Sequence, residues 1–205
     1  MERRQVYLFC GCIFPLLACS GVVYSMFSLY LAEVLNAGKS QIGLIFMCGS
    51  LAGFLSASLV GELADKWGRK KVILTSIGLF SLVFLLYSLI RDYRLIYAVE
   101  VLEGIAWVSM GAAANAYLAD LALPERRGWA MGTYQKTLSL AWVVGPAIGG
   151  VLFETLGFQT TFLIGAVVTC LSAIPTLFLV RETREKRTSS AAHRTTSPAF
   201  APSSR

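Results

Sequence analysis

The sequence has little charge and a single histidine. Only 15% of its 205 residues are charged, against 56% that are hydrophobic, and the mean hydropathy of +0.64 is too high for an ordinary soluble domain. His193 lies among polar residues near the C-terminus, and all five cysteines lie in apolar segments. The sequence therefore contains no nucleophile–base set, phosphate-binding loop or metal-ligand cluster, and we expect no enzyme, no metal and no cofactor.

The sequence also lacks the alternating pattern of about ten residues that is typical of a membrane-spanning strand. It contains instead six apolar segments of roughly the 20 residues that a helix needs to cross a bilayer. These segments are Val6–Leu31, Gln41–Ala64, Val72–Ile90, Leu95–Leu118, Trp129–Phe153 and Phe158–Val180. Because backbone groups in hydrocarbon must be hydrogen-bonded within the protein, we predict an all-α membrane protein with six transmembrane helices.

The net charge of +6 comes from Lys and Arg that are unevenly distributed between the two sides of these helices. If the N-terminus is cytoplasmic, 14 of the 18 basic residues lie on the cytoplasmic side, three lie outside and Lys136 lies within a span. Since cytoplasmic loops carry the excess of basic residues, we predict that both termini are cytoplasmic. The basic residues then orient the protein, and we expect no nucleic-acid partner.

A dense group of charges separates the second and third apolar segments. Gly61–Ile73 reads GELADKWGRKKVI and contains two glycines, Gly61 and Gly68, at which helices can approach closely and the backbone can reverse. Asp65 and Arg69 can form a charge pair. We predict a short, structured turn at one face of the bilayer.

This turn resembles the pattern G-x-L-a-D-r-x-G-r-k-x-x-l, which lies between helices 2 and 3 of transporters of the major facilitator superfamily. Lys66 and Ile73 stand for Arg and Leu, and seven positions match directly: Gly61, Leu63, Ala64, Asp65, Gly68, Arg69 and Lys70. The resemblance covers about residues 1–184, one half of the usual twelve-helix protein. It implies two inverted three-helix repeats and transport of a small molecule by alternating access between two such halves.

The resemblance also implies a conformational latch. In the family, an acidic residue at the end of helix 4 commonly pairs with a basic residue of the 2–3 turn, and Asp120 and Arg69 are the matching positions here. The alternative is that these charges are separate and solvated. The candidate latch residues are Gly61, Asp65, Gly68, Arg69, Lys70 and Asp120.

An internal repeat is visible when the sequence is shifted by 89 residues. Gly68 then falls on Gly157 and Asp65 on Glu154. Three helices separate the copies, so the second copy is inverted in the membrane, and its turn has none of the four cations of the first. This agrees with inverted repeats, although small residues also recur by chance in membrane helices.

Two carboxyl groups lie within the fourth predicted helix. Glu100, Glu103 and Trp107 are spaced by three and four residues and therefore share one face. Charged side chains within a span cost several kcal/mol and usually face a water-filled cavity or a partner, so these residues are candidates for a proton or substrate path. The alternative is that Glu100 extends outward and pairs with Arg91 or Arg94 as an anchor.

Other polar and aromatic residues in the spans are further candidates for this path. Tyr24 forms either a pocket wall or part of a packed aromatic belt, and Lys136 either lines the path or extends to the cytoplasmic interface. The further candidates are Tyr24, Asn115, Gln135 and Lys136.

The fourth helix also resembles that of the drug–proton antiporter branch of the family, l-x-x-x-R-x-x-q-G-x-g. Ile96 and Gly104 fit, but Glu100 replaces the arginine, Glu103 replaces the glutamine and Ala106 replaces the second glycine. The arginine-centred proton coupling of the branch therefore cannot be carried over to this sequence.

The fifth helix resembles the branch pattern G-x8-G-x3-G-P-x2-G-G at every position except the second glycine, which is Ala141. Small residues let a neighbouring helix approach closely, and Pro146 is expected to kink the helix. Tight packing without antiport is the alternative interpretation. The candidate packing and kink residues are Gly132, Ala141, Gly145, Pro146, Gly149 and Gly150.

We predict a transmembrane domain at residues 1–182 and a disordered cytoplasmic tail at residues 183–205, which are rich in Ser, Thr, Arg, Ala and Pro. The expected function is small-molecule transport, including efflux, in a plasma or bacterial inner membrane. The expected partners are the lipid bilayer, the substrate and a second six-helix half. Three alternatives remain: half of a split or truncated transporter, a half that pairs with itself or another half and transports, and a non-transporting protein that binds or regulates a partner.

Overall fold

Six long helices form the computed structural model of the protein, which describes residues 2–183. A short 3₁₀ turn at Pro124–Arg126 precedes the fifth helix, and the described residues contain no strand. The helices are α1 (Glu2–Glu33), α2 (Lys39–Trp67), α3 (Arg69–Leu89), α4 (Tyr93–Leu121), α5 (Arg127–Leu156) and α6 (Phe158–Leu179). All six are long and apolar enough to cross a membrane. The predicted six-helix membrane fold is confirmed, and the chain is a multi-pass integral membrane protein.

The predicted disordered tail lies almost entirely outside the described residues, which end at Thr183. Its disorder therefore stays a prediction.

The first five helices are longer than their apolar segments because polar residues at their ends remain helical. Asp65 lies in the last turn of α2, and the break between α2 and α3 is the single residue Gly68, with φ 105°. The break between α5 and α6 is also one residue, Gly157, with φ 78°. Side chains with a Cβ disfavour this left-handed region, so both breaks favour glycine. These are the two glycines that the 89-residue shift aligns.

The helices pack in a symmetric pattern. The main neighbour of α1 is α5, and the main neighbour of α2 is α4; α3 lies against α4 and α6, and α6 also lies against α1. When α1, α2 and α3 are exchanged with α4, α5 and α6 in this order, the same pairs of neighbours result. This is expected for two three-helix repeats.

Two helix pairs meet with no side chain between their backbones. In the α2–α4 pair, a Cβ on Gly104 would overlap the carbonyl group of Gly49. In the α1–α5 pair, a Cβ on Gly145 would lie 2.7 Å from Cα of Gly21. Small residues permit this close approach, and the two contacts join each repeat to the other.

The third helix buries one face although its sequence is uniformly apolar. One face of α3, which includes Ile77, Phe80, Phe84 and Tyr87, is fully buried against the bundle, while Leu82 and other residues of the opposite face are exposed. Hydropathy could not reveal this, because a membrane helix is as apolar toward its neighbours as toward lipid.

Candidate substrate cavity and turn cluster

A cavity of about 480 Å³ lies between α1, α2, α4 and α5. Its walls contain two carboxyl groups and five aromatic rings, and none of the described residues that line it is basic. The lining residues are Tyr24, Phe46, Gly49, Ser50, Gly53, Phe54, Glu100, Glu103, Gly104, Trp107, Val108 and Trp142. We call this space the acidic cavity. Its volume is within the range of small-molecule sites.

Both glutamates of α4 point inward. Glu100 is 2% exposed and Glu103 is 8% exposed, and the hydroxyl of Tyr87 donates a hydrogen bond to Oε1 of Glu100. Among the ion pairs within residues 2–183, none joins Glu100 to Arg91 or Arg94. The geometry therefore argues against the outward anchor and places both carboxyls at the cavity. Their role in a proton or substrate path stays a prediction.

The two carboxyls converge over the bare backbone of Gly49. A Cβ on Gly49 would lie 2.9 Å from Oε2 of Glu100 and 3.4 Å from Oε2 of Glu103. The close contact between Gly104 and Gly49 brings α2 this near to α4. Glycine on α2 thus provides the space in which one oxygen of each glutamate faces the cavity.

Tyr24 and Trp107 lie together in the cavity wall, with ring centroids 6.2 Å apart. The hydroxyl oxygen of Tyr24 is buried beside Glu103 and Trp107. The pocket-wall interpretation of Tyr24 agrees with this placement.

The other predicted path residues do not reach the acidic cavity. Gln135 and Lys136 are exposed on α5, and the amide of Asn115 donates a hydrogen bond of 2.8 Å to the Gly111 carbonyl of its own helix. These three residues therefore do not line the acidic cavity with the glutamates, and their role in a path stays a prediction.

The predicted latch residues other than Gly61 meet at the turn between α2 and α3. Arg69 is only 6% exposed; its guanidinium pairs with Asp65 of α2, and its Nε lies 3.2 Å from Oδ2 of Asp120 on α4. The charges are thus joined rather than separately solvated.

Glu182, beyond the end of α6, also contacts this turn. Its Oε1 accepts a hydrogen bond of 3.1 Å from the backbone N–H of Arg69, and a Cβ on Gly68 would lie 2.6 Å from its Oε2. Lys70 Nζ donates a bond of 2.6 Å to the Leu177 carbonyl of α6. The turn is therefore connected to both α4 and the end of α6. We call Asp65, Arg69, Asp120 and Glu182 the turn cluster.

Gly61 does not take part in the turn cluster. It lies within α2, and a Cβ on Gly61 would meet no other described atom within 4 Å. The expectation that Gly61 allows a close helix approach is therefore wrong, whereas Gly68 does reverse the backbone.

The small residues of α5 divide into two groups. Ala141 and Gly145 contact Gly21 of α1, and Gly149 contacts Val22. The two outer glycines, Gly132 and Gly150, make no close contact: a Cβ on Gly132 would meet nothing within 4 Å, and one on Gly150 would meet only Cε of Met26, at 3.9 Å. The predicted packing role is therefore wrong for these two.

Pro146 lies inside α5, which continues on both sides of it from Arg127 to Leu156. A proline within a helix lacks a backbone N–H and so leaves one carbonyl without its usual partner. The kink expected at Pro146 stays a prediction.

Tyr87, Trp142 and Glu182 are among the residues of these sites that were missed in the sequence. Tyr87 is one tyrosine in an apolar helix, Trp142 is one of several span aromatics, and Glu182 is one of many charges that follow α6. Of these three, only Tyr87 has a feature that the sequence could have revealed. A hydroxyl within a span needs a hydrogen-bond partner, and Glu100, thirteen residues later, provides it.

Six spans in two related groups of three define a polytopic bundle built from repeats. The chain belongs to the Major Facilitator Superfamily, whose profile matches residues 9–203. This confirms the resemblance seen in the 2–3 turn.

Relatives of known name agree with this family. The chain is 30% identical over 187 residues to multidrug resistance protein MdtG of Dickeya zeae (strain Ech586), covering 88% of this chain and 45% of the relative. It is 24% identical over 150 residues to multidrug resistance protein 2 of Bacillus subtilis (strain 168), covering 73% and 37%. The drug–antiporter branch fits these similarities, and the chain spans less than half the length of either relative.

The fold is also that of a solved structure. The human organic anion transporter MFSD10 (TETRAN) superposes with a TM-score of 0.70 over 90% of this chain and 49% of that protein, at 22% sequence identity. At this identity the likeness concerns the fold alone.

Proposed function

We propose that this chain forms one six-helix half of an alternating-access transporter for small molecules. The observation that carries the proposal is the acidic cavity, in which Glu100 and Glu103 are buried between helices of both repeats. Ionisable groups within a membrane bundle are costly to bury and are typically found on substrate or ion paths. The relatives named as multidrug resistance proteins support an organic substrate and export from the cell.

A second six-helix half would cover the open side of the cavity. Phe54 of α2, 77% exposed, and Trp142 of α5, 43% exposed, border this side, and Leu59 and Val143 extend the exposed apolar surface along both helices. Substrates of the family pass between two halves. The second half is either another polypeptide segment or a second copy of this chain.

The distribution of basic residues supports an orientation with both termini in the cytoplasm of a plasma or bacterial inner membrane. In this orientation the turn cluster lies on the cytoplasmic side. It acts as a latch, because Arg69 connects the α2–α3 turn to α4 and the backbone next to Gly68 is held by Glu182. Alternating access requires such contacts to differ in strength between the two conformations that the transporter adopts.

Substitution of Gly68 by valine should reduce the transport rate about tenfold, a typical size for the loss of one coupling contact. Valine is strained at φ 105° and would also collide with Glu182. The matched control is Gly157→Val, which has a similar backbone strain but open space around it. Uptake is measured at equal membrane amounts in an assembly that contains a second six-helix half. Equal losses in both variants would contradict a latch at the turn cluster.

Replacement of Glu100 or Glu103 by glutamine should change the pH profile of transport, because each variant removes one proton-accepting group from the cavity. The other ionisable groups around this site are Tyr24 of α1 and Tyr87 of α3. Initial uptake rates across a pH series measure the effect, with the exposed Glu33→Gln as the control. An unchanged pH profile of transport in both variants would contradict a role of Glu100 and Glu103 in proton transfer.

The absence of any transport by a correctly inserted assembly would favour the non-transporting alternative, in which the chain binds or regulates a partner in the membrane. Light scattering of the purified chain, corrected for bound lipid, distinguishes a self-paired half from one that needs another partner.

A further inference from the structure

We propose that a groove between α1 and α5 binds an anionic phospholipid. Basic side chains at one end of the groove contact the headgroup phosphate, and the apolar walls hold an acyl chain. The site does not depend on any transport activity. Its placement in the cytoplasmic leaflet, where anionic lipids are concentrated, rests on the proposed orientation of the chain.

The groove lies on the side of the α1–α5 pair that faces away from the acidic cavity. Its volume is about 280 Å³, and among the described residues it shares no lining residue with that cavity. Leu140 lines the groove, whereas Trp142, two positions further along α5, lines the acidic cavity. Residues two apart point to nearly opposite sides of a helix. Tyr7 and Leu140 are more than half exposed, so the groove opens toward the surrounding membrane.

The groove has about the length of one lipid leaflet. A row of residues spaced by three or four positions follows it along α1, and this row comprises Arg3, Tyr7, Gly11 and Phe14. From Arg3 to Phe14 the helix rises about 16 Å, and half of the hydrocarbon core is about 15 Å thick. Gly11 leaves the floor open, because a Cβ there would meet no other described atom within 4 Å. One acyl chain can therefore lie along the whole groove.

One end of the groove carries a positive charge held by aromatic rings. The guanidinium carbon of Arg3 lies 5.5 Å from the ring centroid of Trp129. The ring of Tyr7 packs edge-on against the same indole, with a centroid distance of 5.7 Å. Tryptophan and tyrosine are typical of the headgroup level of a bilayer. Arg3 is therefore placed where a lipid phosphate lies, and we call this end of the groove its mouth.

Lys136 is a second, independent feature that points to an anionic lipid. It is exposed on α5, seven residues and about 10 Å beyond Trp129 on the same face of the helix. None of the ion pairs within residues 2–183 includes Lys136 or Arg3. An ammonium group that faces lipid is costly, and lysine side chains extend toward the headgroups to reduce this cost. A phosphate at the mouth of the groove would offset both charges.

The test compares lipids that share their acyl chains and differ in headgroup charge. The full 205-residue chain, freed of lipid in an uncharged detergent, is titrated with dioleoyl phosphatidylglycerol or dioleoyl phosphatidylcholine. Native mass spectrometry counts the lipids bound to each chain. We expect one phosphatidylglycerol to bind roughly tenfold or more tightly than phosphatidylcholine, as two basic residues near a headgroup would give. Inorganic phosphate at the same concentrations should not bind, because it lacks the acyl chain.

A charge variant tests the contacts to the headgroup. Arg3→Gln/Lys136→Gln should weaken phosphatidylglycerol binding roughly tenfold or more and leave phosphatidylcholine binding unchanged. Both side chains are exposed, so the variant should fold. The matched control, Lys39→Gln/Arg94→Gln, removes two exposed basic residues at the beginnings of α2 and α4 and should bind phosphatidylglycerol normally.

A second variant tests the groove itself. Gly11→Leu places a side chain where the acyl chain would lie and should weaken the binding of both lipids about fourfold or more, the equivalent of at least one buried methylene group. The matched control is Gly78→Leu on the exposed face of α3, where an added Cβ also meets no other described atom within 4 Å. This control should bind both lipids normally.

Equal affinities for the two lipids would overturn the inference, and so would unchanged phosphatidylglycerol binding in either Arg3→Gln/Lys136→Gln or Gly11→Leu. Binding of inorganic phosphate as tightly as phosphatidylglycerol would indicate a simple anion site and would also overturn it. A dimer of the chain that Gly11→Leu dissociates would show that a second copy covers the groove, with the same consequence. The measurement needs no transport, so loss of lipid binding leaves the proposed function intact. A chain that binds phosphatidylglycerol but transports nothing counts against the proposed function only.

Discussion

Replacing Gly104 by alanine is expected to destabilise the six-helix bundle by about 3 kcal/mol or more, the upper part of the range for overpacked interiors. The added methyl group would overlap the carbonyl group of Gly49 and would lie 3.1 Å from the backbone nitrogen of Gly53. These are backbone atoms of α2, so no rotation of a side chain relieves the collision. The two helices must separate, and the favourable contact along the α2–α4 pair is lost.

The matched control for this prediction is Gly111→Ala on the same helix. A Cβ there would meet no other described atom within 4 Å, while the gain in helix propensity from glycine to alanine, up to about 1 kcal/mol, is the same in both variants. The difference between the two therefore isolates the helix contact. Unfolding of the purified variants in mixed detergent measures it, and equal stabilities would contradict the contact between Gly104 and Gly49.

The variants Arg69→Gln and Asp120→Asn are each expected to lower the transport rate about 10- to 100-fold, within the range of a coupling free energy of 1–3 kcal/mol. Arg69 is buried and bonded to Asp120 and Asp65. Loss of either member of the Arg69–Asp120 pair leaves the other partly buried without its partner. The free-energy cost of this is larger than that of removing both residues. The double variant should therefore be no worse than the more impaired single variant.

The control for this cycle is the Glu62–Lys66 pair of the same turn region. Its atoms lie 3.2 Å apart, and both side chains are exposed. Exposed pairs contribute little, so Glu62→Gln, Lys66→Gln and their double variant should transport normally. Transport rates at equal membrane amounts provide the data. Strictly additive losses for Arg69→Gln and Asp120→Asn would indicate that the two residues act separately.

The turn cluster illustrates a site that was partly predictable. The family pattern places Asp65, Gly68 and Arg69 in one turn, and Asp120 follows from the end of α4, so their meeting was expected. Glu182 was not, because it is one of several charges after α6 and the pattern of the 2–3 turn does not include it. Its contact with Gly68 depends on how α6 packs against α3.

The glutamates of α4 illustrate a feature that could not be predicted from the sequence, which is the direction in which their side chains point. Their spacing placed Glu100 and Glu103 on one face, but two directions for that face remained open. The inward direction is set by the contact of Gly104 with Gly49, which leaves the carboxyls over a glycine of another helix. Helical periodicity defines the angle between residues of one helix and carries no information about the neighbour that each face meets.

The sequence by itself determined the number of spans, their approximate positions, the alignment of Gly68 with Gly157, and the family. These depend on local properties: apolar length, glycine conformation and a short pattern of charges. Only the tertiary structure decided which small residues of α5 contact α1 and that Tyr87 bonds Glu100. The physical reason is that lipid and protein neighbours are equally apolar, so hydropathy alone does not distinguish the buried face of a membrane helix from its exposed face.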